Sequence, residues 1–282
     1  MIKIFNACRD KLPFRLSMVK TRLLSLLFMV TAVVALPVNA ASVSGKEADS
    51  QKTMSGEPAK AEPKILLELY TSQGCSSCPR ADALLPSFIK RKDVIALSMS
   101  VDYWDYLGWR DTFAKRLFTE RQRSYGRRIG DGMIYTPQIV VDGRAHTNGS
   151  DGRAIEAMIE QRKKERAKNP DVALKVMTHG DMLVVSVGEM PKNMKVKKAT
   201  LWLALFSSEK AVKVRRGENR GRFLTYHNIV RELTPVGQWT GAEMTLKLPK
   251  KQIMQRGADG CVILLQNGDG GPIVAAAEMP TW

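Results

Sequence analysis

The stretch ILLELYTSQGCSSCPRADALL, Ile65 to Leu85, constrains the fold more than any other part of the chain. An apolar run of strand length, Ile65–Tyr70, leads through a short polar turn into a helical pattern. That pattern sets Ala81, Leu84, Leu85, Phe88 and Ile89 on one face. Cys75 and Cys78 stand at the join, with two residues between them. Such a pair reads three ways: a redox couple, half of a metal site, or a structural staple.

The alternation continues. Val94–Val101 reads as a second strand, and a basic helix is expected over 111–128. Gln138–Gly143 reads as a third strand ending in an Asp-Gly turn, with a short strand near Arg144–Thr147. A last helix starts at Ser150 or Asp151, both capping residue types, and runs to about Lys168. Pro86 falls inside the first helix and predicts a kink. The order β-α-β-α-β-β-α over 64–168 predicts an α/β domain with helices packed on the sheet faces. Asn169-Pro170 interrupts the pattern. Beyond it come short strand-like runs separated by turns, such as MLVVSV, ATLWLALF and CVILL, which predict an all-β, sandwich-like domain over 169–282.

The start of the chain reads differently. Arg22 precedes the apolar run Leu23–Leu36, and Val38-Asn39-Ala40 has the small-residue form of a cleavage site. Residues 1–40 are therefore read as a signal peptide, with Met18 as an alternative start, and the run is short for a membrane span. An uncleaved anchor is the other reading, and membrane contact is expected only in that case. Residues 41–63 lack hydrophobic periodicity and read as a disordered spacer. The expected location is the periplasm or the exterior. Residues 1–40 hold six basic and one acidic residue, so the rest carries a formal +11 against +16 for the whole chain. That charge favours anionic partners. The basic residues are dispersed among acids and an exported chain rarely meets nucleic acid, so no nucleic-acid partner is expected.

Export leaves Cys75, Cys78 and Cys261, and disulfides persist outside the cytoplasm. Cysteines three apart in the first turn of a helix lie on one face. The free N–H groups and partial positive charge of the helix start favour a thiolate there. Cys75, the outer sulfur, is then the nucleophile and Cys78 the resolving thiol, with Arg80 adding positive charge. This reading requires the Cys75 sulfur to be reachable by another chain. Cys261 lies in a strand-like run and reads as a buried hydrophobe, with a third redox thiol as the alternative.

A strand running into CxxC at a helix start, with Thr136-Pro137 opening a later strand in YTPQIVVDG, resembles the thioredoxin superfamily over residues 64–168. YTSQGCSSCPRADALL, YTPQIVVDGR and RGENRGRFLTYHNIV resemble an exported bacterial thioredoxin-like family of unassigned function over residues 64–282. The resemblance implies a thioredoxin-like first domain and a cis Pro137 lying against the disulfide. It also implies that the Thr136 backbone is free to pair with an extended substrate. By the same resemblance Glu68 relays a proton to the resolving cysteine; the other reading of Glu68 is an ion pair with a basic residue at a sheet edge. If the first two strands are parallel, the loop Asp102–Trp109 lies beside Cys75, and Tyr103, Trp104, Tyr106 and Trp109 form an apolar wall for a peptide or else cap the core.

The function expected is a thiol–disulfide oxidoreductase acting on exported or envelope protein thiols, without a cofactor. The alternatives are a non-catalytic binding module with a structural disulfide, and a copper-handling protein. His146, His179 and His227 are far apart in sequence, and one CxxC without a second paired motif is a weak metal signal, so no metal is expected. The arginine-rich turn Arg215–Arg222 reads as a charged hairpin or an anion contact.

Overall fold

The computed structural model describes residues 64–254 and 257–279. The expected leader, its cleavage point and the expected spacer lie outside them. The described residues build a mixed α/β fold from an eight-stranded mixed sheet and a three-stranded antiparallel sheet. No helix among them is long and apolar enough to cross a membrane.

In chain order the first half comprises β1 (Ile65–Thr71), α1 (Pro79–Ile89), β2 (Val94–Ser100), α2 (Arg116–Ile129), β3 (Gln138–Val141), β4 (Ala145–Asn148) and α3 (Gly152–Lys168). β1 is parallel to β2 on one side and antiparallel to β3 on the other, and β3 pairs with β4. β1, β2 and β3 are buried along their whole length, as apolar runs covered on both faces must be. One face carries Leu67, Leu69, Ala96 and Ile139 against Leu85 and Phe88 of α1 and Ile155 and Ile159 of α3. The opposite face carries Leu66, Tyr70, Leu97 and Val140 against Phe118 and Tyr125 of α2.

The local sequence explains the boundaries. Asp151 caps α3, its carboxylate accepting from the Ala154 N–H at 3.0 Å. α1 stays a single helix through Pro86. α2 starts five residues later than the sequence pattern implies, because Asp111 is engaged elsewhere. Its carboxylate accepts from the backbone N–H groups of Gln73, Phe113 and Ala114, which fixes a turn before the helix. Asp142 and Gly143, both at positive φ, form the turn between β3 and β4. The buried Asp142 carboxylate also accepts from Leu66 N–H and from Arg162 and Arg166 of α3, fixing that helix to the sheet.

The second half comprises β5 (Leu174–His179), β6 (Met182–Val187), β7 (Ala199–Lys213), β8 (Phe223–Trp239), β9 (Met244–Pro249), α4 (Lys250–Met254), β10 (Gly260–Asn267) and β11 (Ile273–Glu278). It differs from the separate sandwich that its texture implies. Only β5, β6 and β9 form a sheet of their own, while β7, β8, β10 and β11 extend the first sheet in the order β11-β10-β7-β8-β2-β1-β3-β4. Face-to-face packing does occur: Leu183, Val185 and Val187 of β6 share a core with Leu201, Leu203 and Leu205 of β7 and Ile263 and Leu265 of β10. The two halves join where β8 runs parallel to β2 at Ser98 and Ile229. Asn228 stands at the join with φ 44°, its buried amide donating to the Ala96 carbonyl at 3.1 Å. An asparagine tolerates this left-handed backbone and supplies the donor.

Candidate functional site

The turn after β1 carries the two sulfurs. Cys75 and Cys78 are disulfide-bonded, with their Cα atoms 5.5 Å apart. Cys78 is the N-cap of α1 and Pro79 opens the helix, a position where the missing N–H costs no hydrogen bond. The Cys78 carbonyl accepts from the N–H groups of Ala81 and Asp82. Thr136-Pro137 is a cis peptide at the start of β3. The Thr136 carbonyl lies 3.7 Å from the Cys75 sulfur and accepts from the Ser77 hydroxyl at 3.4 Å. Cys75, Cys78, Thr136 and Pro137 therefore meet in one place.

The aromatic loop lies beside them. Trp104 Nε1 donates to Thr136 Oγ1 at 2.8 Å, and Trp109 Nε1 donates to Gln73 Oε1 at 2.8 Å. A Cβ on Gly74 would stand 3.0 Å from the Trp104 Cβ, so this glycine permits the loop to sit against the cysteine turn. Tyr106 is 78% exposed and stacks on Trp104, with ring centroids 6.4 Å apart. Tyr103 tilts against Trp104, with ring centroids 6.3 Å apart.

Glu68 stands apart from the sulfurs. It lies on the α2 face of β1, fully buried, where its carboxylate pairs with Arg121 at 2.7 Å and accepts from the Tyr125 hydroxyl at 2.5 Å. The ion-pair reading of Glu68 is the one the structure shows, in the sheet interior and not at an edge. A second correction concerns access. Cys75 is only 1% exposed and Cys78 is wholly buried, so neither sulfur is open to another chain in this conformation.

Part of the cover comes from the second half. The turn between β7 and β8 closes on itself through backbone bonds joining Val214 to Gly221 and Arg222. Its buried Asn219 amide donates to the carbonyls of Gln73 and Cys75, at 3.0 and 2.8 Å. Arg222 donates to the Asn219 oxygen at 2.8 Å, which fixes the amide's orientation. The Glu218 carboxylate accepts from the Ser76 N–H at 3.2 Å.

Residues 66–266 match the family described as "Protein of unknown function (DUF1223)". The chain belongs to this family. Among solved structures, a protein of Agrobacterium tumefaciens is similar at 37% identity and TM-score 0.67, over 78% of this chain and 95% of that one. HBP35 of Porphyromonas gingivalis is 12% identical at TM-score 0.49, over 77% of this chain and 74% of that one. No curated protein matches the chain.

One further group belongs to this family member's site. Asp82 lies one helical turn after Cys78, buried, and neither carboxylate oxygen has a hydrogen-bond partner. Burial is the main cause that pushes its carboxyl up to about 8, and the Asp111 carboxylate adds to the rise. Among the described residues the buried hydroxyls of Thr71, Ser98, Ser100 and Tyr226 also lack a hydrogen-bond partner, and of these Thr71 and Tyr226 lie near Asp82. Thr71 and Ser100 are register partners on β1 and β2, and Tyr226 comes from β8. Spacing could have found Asp82, since i+4 from Cys78 is the same helix face. Asn219 gave no such signal, because its contact spans 144 residues.

The remaining candidates lie elsewhere. Cys261 is buried in the core between the sheets, which pushes its thiol up to about 12. His146 is held by Asp131 and Tyr135, and His227 lies beside Glu209. The described residues contain no group of three or more His, Cys, Asp or Glu placed to hold a metal.

Proposed function

We propose that the chain is an exported thiol–disulfide oxidoreductase of thioredoxin-like build, acting on envelope protein thiols through Cys75 and Cys78. The observation that carries this reading is the disulfide seated at the start of α1 with the Thr136 carbonyl 3.7 Å from the Cys75 sulfur. A substrate thiolate attacks the Cys75 sulfur, the bond to Cys78 breaks, and a mixed disulfide forms. Cys78 leaves as a thiolate and takes a proton, for which the buried Asp82 carboxyl, one helical turn along α1, is the source. A second substrate thiolate attacks the substrate sulfur and releases Cys75. The substrate loses two electrons and two protons, the pair gains them, and the reverse sequence reduces a substrate disulfide. Because Cys75 is covered, exchange requires the turn at 215–222 to lift or Ser77 to turn aside.

The same burial favours a second reading, a structural disulfide in a binding module. One measurement divides the two. An oxidoreductase pair equilibrates with glutathione buffers at a potential well above about −300 mV, and Cys75→Ser abolishes insulin reduction and refolding-oxidase activity. A wild-type potential below about −300 mV, with no exchange activity to abolish, assigns the structural role.

A further inference from the structure

Exposed arginines stand close to the disulfide in sequence and in space. The turn at 215–222 reaches Cys75 and Ser76 through Asn219 and Glu218, so its exposed Arg215, Arg216 and Arg220 are brought to the rim of the site. Arg216 is two residues from Glu218, which limits their Cα separation to about 7 Å. Arg80, two residues beyond Cys78, lines a depression of about 590 Å³ together with Arg153. Asp151 also lines it, but its carboxylate is occupied by the Ala154 N–H. Among the described residues, no ion pair engages Arg80, Arg153, Arg215, Arg216 or Arg220. Guanidinium groups recognise carboxylates through paired N–H donors, and clustering them at one rim raises the local concentration of an acidic partner. The protein supplies an example of such a contact itself, since Glu218 places a carboxylate on the Ser76 N–H beside the disulfide.

We infer that this face recognises a polypeptide whose cysteine is flanked by acidic residues, through Arg80 and Arg153 and through Arg215, Arg216 and Arg220. This rests on the oxidoreductase reading only in making the partner a thiol protein. An acidic side chain of the partner competes with Glu218 for the Ser76 N–H, so docking and uncovering of Cys75 are coupled.

The test uses the oxidised full-length protein and two labelled peptides, one with Glu flanking a central Ser and one with Gln in those places. The Glu peptide is expected to bind at least about tenfold more tightly at low salt, with the preference lost as screening shortens the range of the charges. The double variant Arg216→Gln, Arg220→Gln is expected to remove most of the preference, bringing the affinity for the Glu peptide down towards that for the Gln peptide. Equal binding of the two peptides overturns the inference. So does binding to vesicles of phosphatidylglycerol and phosphatidylcholine that the Glu peptide fails to displace, since the face would then serve an anionic lipid surface. Absence of exchange with 2-mercaptoethanol sinks the oxidoreductase reading instead, and the peptide comparison still decides the charge recognition.

Discussion

Replacing Asp82 by Asn is the sharpest perturbation this structure offers. A buried carboxyl held near 8 against an ordinary 3.8 keeps its proton in the folded chain, whereas the unfolded chain releases it from about pH 4 upward. The folded state therefore loses stability as pH rises between those values, at about 1.4 kcal/mol per pH unit. From this group alone the loss is about 2 kcal/mol at pH 5 and about 5 kcal/mol at pH 8, where it approaches its plateau. Asn has nearly the same shape and no proton to release. Denaturant unfolding of wild type and Asp82→Asn, disulfide intact, at about pH 5 and about pH 8 isolates this group from every other titration. The variant is expected to gain about 3–4 kcal/mol on wild type between the two pH values. An advantage that does not change with pH would refute both the buried-proton argument and the role of Asp82 as proton source for Cys78. In the oxidoreductase reading the same variant slows release of the Cys78 thiolate most at low pH, where that sulfur must be protonated.

Asn219→Ala removes two bonds to the cysteine turn, so reduction of the disulfide by dithiothreitol should accelerate several-fold, with about 1–3 kcal/mol of lost stability. An unchanged reduction rate would show that the turn at 215–222 does not restrict access. Glu68→Gln leaves the Arg121 guanidinium buried without its counter-ion. It should cost about 3–5 kcal/mol in denaturant unfolding and leave the reduction potential of Cys75 and Cys78 where it was. A shift of that potential would return Glu68 to the redox site.

The first half was legible because its signals are local. The run Ile65–Tyr70, the face of α1 and the Asp151 cap each lie within a few residues, and each element formed close to where its pattern placed it. The meeting of the cysteines with Trp104 followed from strand direction, since parallel β1 and β2 end on the same side, whereas the place of Thr136-Pro137 was implied by the family resemblance. The two readings of Glu68 could not be separated by sequence, because an acid in an apolar run says nothing about which face it takes. Period two placed it toward α2, where Arg121 waits. The fusion of the two halves was not legible. It depends on one register position, Ser98 with Ile229, and on a backbone turn at Asn228 that no strand propensity reports. The runs that form β7 and β8 would read the same as strands of an isolated sandwich.

Sharing one sheet has a consequence for how the molecule can be divided. A chain ending at Lys168 would strip β8 from β2 and leave Leu66, Leu97 and Met99 without the residues of β7, β8 and β10 that complete their core. Such a fragment would present a bare strand edge and an apolar face together, the combination that drives intermolecular pairing. The cysteine turn and the arginine hairpin that covers it thus rise and fall as one cooperative unit, and neither can be gained, lost or exchanged without the other.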